Sequence, residues 1–435
     1  MAFSSLMPQA APSFGAAPLI LDISRLLNRA GASVPTGIDR VELAYARLCL
    51  TRPDSVFVAM HPMGTVNVLQ RPAVAALVGA LCDTWLQGRA HTRKARHLAS
   101  SMTLGLLKPN LAWWRLGTRM RHQAQQTGQR PLYLLLSHHH LHRPRAIRRI
   151  MNHFQARFVP MVHDLIPLDY PEYARPVQEK RHRQRLNTVQ ALSHAILTPA
   201  QHVADRLKIH YQRHPAHQAT PPIIPVLHGV DIPTTLPQPS STPPLSERAE
   251  FVVIGTIEPR KNHLLLLHFW RAMAQDCVTD PAARARLPIL HVVGKRGWEN
   301  ENILDLLERC RDLQGLVVEH NNMVDEALLM LLSKARGLLF PSFDEGFGLP
   351  LVEALALKVP VICSDLPVFH EIAGALPDYV DSLDGMRWRM LVEDYCRCGP
   401  LWQAQRKRLS TTDWQPRSWR ESIMEALSKL QAIQP

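Results

Sequence analysis

Short apolar runs alternate with longer stretches whose apolar positions recur at helical spacing, and this alternation continues from Leu19 through most of the chain. The runs predict strands at residues 19–23, 56–60, 132–136, 157–162, 195–197 and 223–226, and again at 251–254, 289–293, 316–318, 337–340 and 359–363. After Gly37, the residues Val41, Ala44, Tyr45 and Leu48 fall on one face of a helix. Strands alternating with helices in both halves argue for an α/β fold with parallel sheets covered on both faces. Residues 233–250 are rich in Pro and Ser, which suits neither a ladder nor a helix and marks a linker. The expectation is therefore an N-terminal α/β domain over residues 1–232 and a second α/β domain over residues 251–413.

Composition narrows the classes. Of 435 residues 46% are hydrophobic and 20% charged, an ordinary globular balance. No apolar run is long enough to span a bilayer, and the first residues lack the basic region of a secretory leader. The seven cysteines are scattered, which fits a reduced cytoplasmic compartment and no metal site. The net charge of +13 is local: residues 84–163 hold 14 Lys or Arg and no Asp or Glu, leaving 36 basic and 37 acidic residues elsewhere.

The segment FPSFDEGFGLPLVEALAL, residues 340–357, carries the most chemistry. A strand ends at Pro341, Gly346 and Gly348 open a loop, and Pro350 fits the first turn of a helix. Glycines there allow backbone N–H groups to approach a phosphate. Glu345 and Glu353 are separated by seven residues. Taken singly, Glu353 reads equally well as a complement to the helix dipole and Glu345 as a solvated loop residue.

Taken together, EGFGLPLVEA resembles the signature of the retaining nucleotide-sugar glycosyltransferases of family 4, which have two Rossmann-like domains facing a cleft (the GT-B fold). Three more segments are similar in the right order: TGIDR at 36–40, HDLIPLDYPE at 163–172 and GTIEPRKN at 255–262. The resemblance implies a donor pocket formed by Gly255, Arg260, Lys261, Gly346, Phe347, Gly348, Leu349 and Glu353. In it Arg260 and Lys261 hold the diphosphate, Glu353 takes the ribose hydroxyls and Glu345 sits against the sugar. Thr256 stands where many members have Arg, which leaves Arg260 and Lys261 as the evident cations of that loop. His163 is implied to orient the transferred sugar as a further catalytic residue. Gly37, Asp39 and Arg40 are implied to line the opposite wall as an acceptor or phosphate loop. The loop at Gly294, Lys295 and Arg296 is implied to flank the base, and residues 414–433 to form a helix returning to the N-terminal domain.

The histidines His138, His139, His140 and His142 invite a metal reading, but neighbouring positions point in different directions and no Cys or carboxylate completes a ligand set. No cofactor or metal is expected; a nucleotide-diphosphate sugar enters as substrate. The basic block fits three partners: nucleic acid, bulk solvent or an anionic membrane leaflet. Arg89, Arg93, Lys94, Arg96, Lys108, Arg115, Arg119 and Arg121 interleave with Leu98, Met102, Leu104, Leu106, Leu107, Leu111, Trp113 and Trp114. Cations beside apolar and indole side chains favour the membrane surface over nucleic acid. The reading is a retaining hexosyltransferase, with mannose from GDP-mannose as the first expectation. It would act on a lipid-linked or oligosaccharide acceptor in surface polysaccharide synthesis, at the cytoplasmic face of the membrane. A non-enzymatic nucleic-acid or polysaccharide binder, or a nucleotide-sugar epimerase of the same architecture, is the alternative.

Overall fold

The computed structural model describes residues 17–89, 91–215, 219–233 and 248–433. The first 16 residues and residues 234–247, most of the expected linker, lie outside the described residues. Seven strands form in the N-terminal half: β1 (Leu19–Asp22), β2 (Val56–Met60), β3 (Val66–Leu69), β4 (Leu132–Leu135), β5 (Arg157–Pro160), β6 (Ile196–Thr198) and β7 (Ile223–Pro225). Six form in the C-terminal half: β8 (Glu250–Ile254), β9 (Ile289–Val293), β10 (Val317–His320), β11 (Gly337–Phe340), β12 (Val361–Ser364) and β13 (Asp378–Val380).

The first sheet runs β3-β2-β1-β4-β5, parallel except for the edge pair β2–β3. The parallel pair β6–β7 continues beyond it, joined to the end of β5 by a bridge between Met161 and Leu197. The second sheet runs β10-β9-β8-β11-β12-β13 and its strand pairs are parallel throughout. Helices cover both faces, which is why β1, β4 and β11 are buried throughout and read as unbroken apolar runs. The strands β3 and β13 escape the pattern because they are short edge segments carrying Asn67 and Asp378.

Helix Gly37–Thr51 forms as its spacing predicts, with Val41, Ala44 and Tyr45 buried. Helix Trp419–Gln431 packs on the N-terminal sheet, where Ile423, Ala426, Leu427 and Leu430 complete a core with Leu21, Tyr45 and Trp85. Each of its larger side chains contributes about 2 kcal/mol by burial.

The structure corrects the pairing of Trp113 with Trp114. Trp113 is buried against His153, with ring centroids 4.2 Å apart, while Trp114 is 64% exposed. Met102 and Leu106 also face inward, whereas Leu104, Leu107 and Leu111 face outward, as Trp114 does. The apolar surface of the basic block is thus the turn between helices Thr92–Gly105 and Leu111–Thr127. No helix among the described residues is long and apolar enough to cross a membrane.

Candidate active site

In the order β10-β9-β8-β11-β12-β13, the chain reverses direction of winding between β8 and β11, and a crevice opens at their C-terminal ends. Two loops fill this crevice. One, residues 255–262, leaves β8; the other, residues 341–348, leaves β11. They are laced together: Phe343 N–H donates to the Arg260 carbonyl (2.9 Å), and Arg260 Nη1 donates to the Asp344 carbonyl (2.6 Å). Arg260 also pairs with Glu345 (3.0 Å) and Glu258 (2.7 Å), and Lys261 Nζ pairs with the same oxygen of Glu345. Lys261 lies 4.9 Å from the centre of the Phe340 ring. Its Cε stands 2.9 Å from where a side chain on Gly255 would begin.

Glu345 is therefore neither solvated nor free. Burial alone would raise its carboxyl, but Arg260 and Lys261 hold it down at about 2. Burial lowers Lys261, with Glu345 opposing. Next door, burial pushes Asp344 up to about 6 although Arg206 Nη1 donates to both of its oxygens, at 2.9 and 2.8 Å. The result is a dry cluster of two cations and two carboxylates, Glu258 and Glu345, beside the start of helix Leu349–Ala356. Gly348 caps that helix at φ +107°, and a side chain there would also meet the Phe369 ring at 2.8 Å. Such a helix start and paired cations together favour an anionic group.

The facing wall comes from the N-terminal half. A side chain at Gly346 would lie 2.1 Å from the His163 carbonyl, so glycine is what lets the two halves close here. His163 is buried; its Nε2–H donates to the Leu136 carbonyl (2.6 Å), and its backbone N–H donates to His138 Nε2 (3.1 Å). That bond sets the tautomer, with the proton on Nε2 and Nδ1 as acceptor. Burial lowers His163, with the Leu136 carbonyl and Asp164 opposing. His228 lies between His163 and Phe347, with centroids 5.8 and 5.0 Å away.

Arg40 reaches across from the N-terminal half to Glu353 (2.7 Å) and Asp325 (2.5 Å). Gly37 faces Leu349, whose Cδ1 would lie 3.5 Å from a side chain there. Asp39 is fully buried, closes a capping box with Thr36 and pairs with Arg25 and Arg29, so it stabilises the start of its helix. Further ties are Ser33 to Asn322 (2.8 Å), Trp298 Nε1 to the Tyr173 carbonyl (2.9 Å), and the Glu371 carboxylate on the N–H groups of Gln201 and His202. In the expected base loop, Arg296 is committed to Glu308 and Glu319.

Sequence reasoning singles out Glu345, Arg260 and Lys261, which meet, and Glu353 and Arg40, which pair. It misses Asp344, Arg206, Asp325 and His228. Asp344 stands inside the motif itself, and His228 precedes a glycine just after β7, which are signals; nothing local marks Arg206 or Asp325. A surface hollow of about 590 Å³ lined by Leu264, Arg271, Asp305 and Asp312 contains none of these residues.

The comparisons bear on this arrangement. Among solved structures, sucrose-phosphate synthase from Thermosynechococcus elongatus superposes with a TM-score of 0.57 at 15% identity, covering 95% of this chain and 98% of that one. Anabaena Alr3699/HepE in complex with UDP gives 0.57 at 12% identity, covering 96% and 100%. Both share the GT-B fold. Among curated proteins, the serotype-specific mannosyltransferase WbdA of Escherichia coli is 28% identical over 286 residues, 63% of this chain and 34% of that protein. The O-antigen chain mannosyltransferase B of Escherichia coli is 36% identical over 149 residues, 33% of this chain and 37% of that protein. The chain thus spans about a third of the length of these curated relatives. Residues 60–366 match the family described as Family 4 Glycosyltransferase in conflict systems, and the chain belongs to that family.

Proposed function

We propose that this protein is a retaining glycosyltransferase. It moves a sugar, mannose from GDP-mannose in the first instance, from a nucleotide-diphosphate donor to a hydroxyl of a lipid-linked or oligosaccharide acceptor in surface polysaccharide synthesis. The observation that carries the reading is the meeting of Arg260, Lys261 and Glu345 at the crevice between β8 and β11. The mannosyltransferase names of the curated relatives support the choice of sugar.

The acceptor hydroxyl attacks the anomeric carbon from the side of the departing diphosphate. The carbon–phosphate oxygen bond breaks as the new carbon–oxygen bond forms, and a phosphate oxygen takes the acceptor's proton. Arg260 and Lys261 stabilise the charge that collects on the diphosphate, so no metal is invoked. Glu345 keeps both cations aligned before the donor arrives. The neutral ring of His163 accepts a hydrogen bond from the transferred sugar and orients it. Closure of the two halves excludes water from the reacting centre.

The exposed Leu104, Leu107, Leu111 and Trp114, with Lys108 and Arg115 in the same stretch, support attachment of the basic block to an anionic leaflet at the cytoplasmic surface of the membrane. The test is a thermal-shift panel of UDP, GDP, TDP and ADP sugars followed by transfer assays. One donor should raise the melting temperature, and Lys261→Ala and Glu353→Ala should each lower transfer at least about tenfold with the fold intact. Wild-type rates in both variants would overturn the assignment. Epimerised sugar formed without an acceptor, or salt-sensitive duplex binding with no donor binding, would point to the alternative classes.

A further inference from the structure

The ion pair between the two halves leaves two polar atoms unmet. Arg40 gives Nη1–H to Glu353 Oε1 at 2.7 Å and Nη2–H to Asp325 Oδ1 at 2.5 Å. Its Nε is buried with no hydrogen-bond partner among the described residues, and so is Glu353 Oε2. Glu353 itself is 7% exposed. Buried polar atoms are seldom left open in folded proteins, and those that are call for an explanation. The unmet demand in this cluster is for one acceptor, to satisfy Nε–H, and one donor, to satisfy Oε2. A hydroxyl can act as either, and two adjacent hydroxyls on one ring supply both together.

We propose that Arg40 is a specificity-determining residue of the donor site, which with Glu353 reads the adjacent ribose hydroxyls of the nucleotide. One hydroxyl donates to Glu353 Oε2 while its neighbour accepts from Arg40 Nε–H. The inference rests on Glu353 as the ribose-binding carboxylate and adds to the same sugar a residue of the opposite half. Asp325 anchors the far end of the guanidinium, so Arg40 can serve the ligand without leaving Glu353. A planar fork with a third N–H suits this task, and a lysine would not replace it. The nucleotide then touches both halves through its ribose as well as through its phosphates, and a deoxyribose leaves one buried atom unmet.

The experiment measures binding of GDP and UDP, and of their 2′-deoxy and 3′-deoxy forms, to the full chain by calorimetry. Wild type should prefer the ribonucleotide at least about tenfold over one of the deoxy forms. In Arg40→Met and in Glu353→Gln that preference should fall to within about threefold. Arg40→Lys, which keeps the interface charge without the fork, gives the same readout should Arg40→Met not fold. A preference lost in Glu353→Gln but retained in the Arg40 variants overturns the role of Arg40 and leaves Glu353 as the ribose ligand. A preference unchanged in Glu353→Gln, or absent from wild type, overturns the ribose reading as well.

Discussion

Glu345 and Glu42 are both buried carboxylates, yet they differ by several pH units in where they ionise. Burial raises both. At Glu345 two cations reverse the effect and hold the group at about 2. At Glu42, on helix Gly37–Thr51, burial is reinforced by Asp22 and the group rises to about 8. Its Oε1 accepts from the Leu26 N–H (3.1 Å), and Oε2 has no partner among the described residues. The contrast extends to the surroundings. The C-terminal crevice keeps its carboxylate and its cations charged by pairing them. The N-terminal half gathers histidines, His138, His163 and His228, all lowered by burial and so neutral at pH 7. Neutral rings suit the hydroxyls of a sugar, which need hydrogen bonds rather than charge. Neighbours, not depth, decide what each buried group can do.

The strongest test of this contrast removes a cation. Lys261→Met should cost about 3 kcal/mol in chemical denaturation, because a buried pair that loses one partner leaves a poorly compensated charge. A loss too small to measure would mean that Lys261 does not sustain the charge on Glu345. The opposite sign is expected at Glu42. Its folded value lies above the unfolded one, so the stability it contributes is present below about pH 4.5 and is lost as pH rises through about 8. Glu42→Gln mimics the protonated form and should already gain about 2 kcal/mol at pH 6 and almost nothing at pH 4. Equal stability of the two proteins at pH 6 would remove the contrast.

The histidines sharpen it further. Their folded values are lowered, so below pH 6.5 the unfolded chain binds protons first and stability falls as the pH falls. His138→Gln keeps an acceptor for the His163 N–H but cannot charge, so it should flatten the fall between pH 6.5 and 5 in denaturation curves recorded on the Glu42→Gln background. The smallest effect is expected at the surface. Leu107→Ser or Trp114→Ser should weaken binding to anionic vesicles about threefold each, and Arg115→Glu somewhat more, without changing the donor's thermal shift. Unaltered vesicle binding in all three would assign the exposed turn to solvent.

Much of the architecture can be read from local pattern, because parallel strands buried on both faces are unbroken apolar runs. The strands that escape, β3 and β13, are edge segments whose polar residues break the run. The donor loops are legible for a different reason: Gly346, Gly348 and Pro350 record backbone geometry that few other residues tolerate. What pattern cannot show is pairing across the fold. Arg40 and Glu353 lie 313 positions apart, and Arg206 and Asp344 138 apart. Asp39 shows the same limit, since a capping carboxylate and a ligand-binding one look alike until their partners are known. Trp113 and Trp114 are adjacent, and only helix packing decides that one enters the core and the other faces outward.

The helix Trp419–Gln431 returns to the N-terminal sheet after the whole second sheet has been built. On the ribosome, this orders the events of folding. The β8–β13 sheet can close as soon as its own strands emerge, whereas the earlier half must wait, with helix Gly37–Thr51 and β7 incompletely covered, for Ile423, Leu427 and Leu430. The half that is synthesised first is therefore the last to be sealed, and throughout that interval it is the natural client for a chaperone.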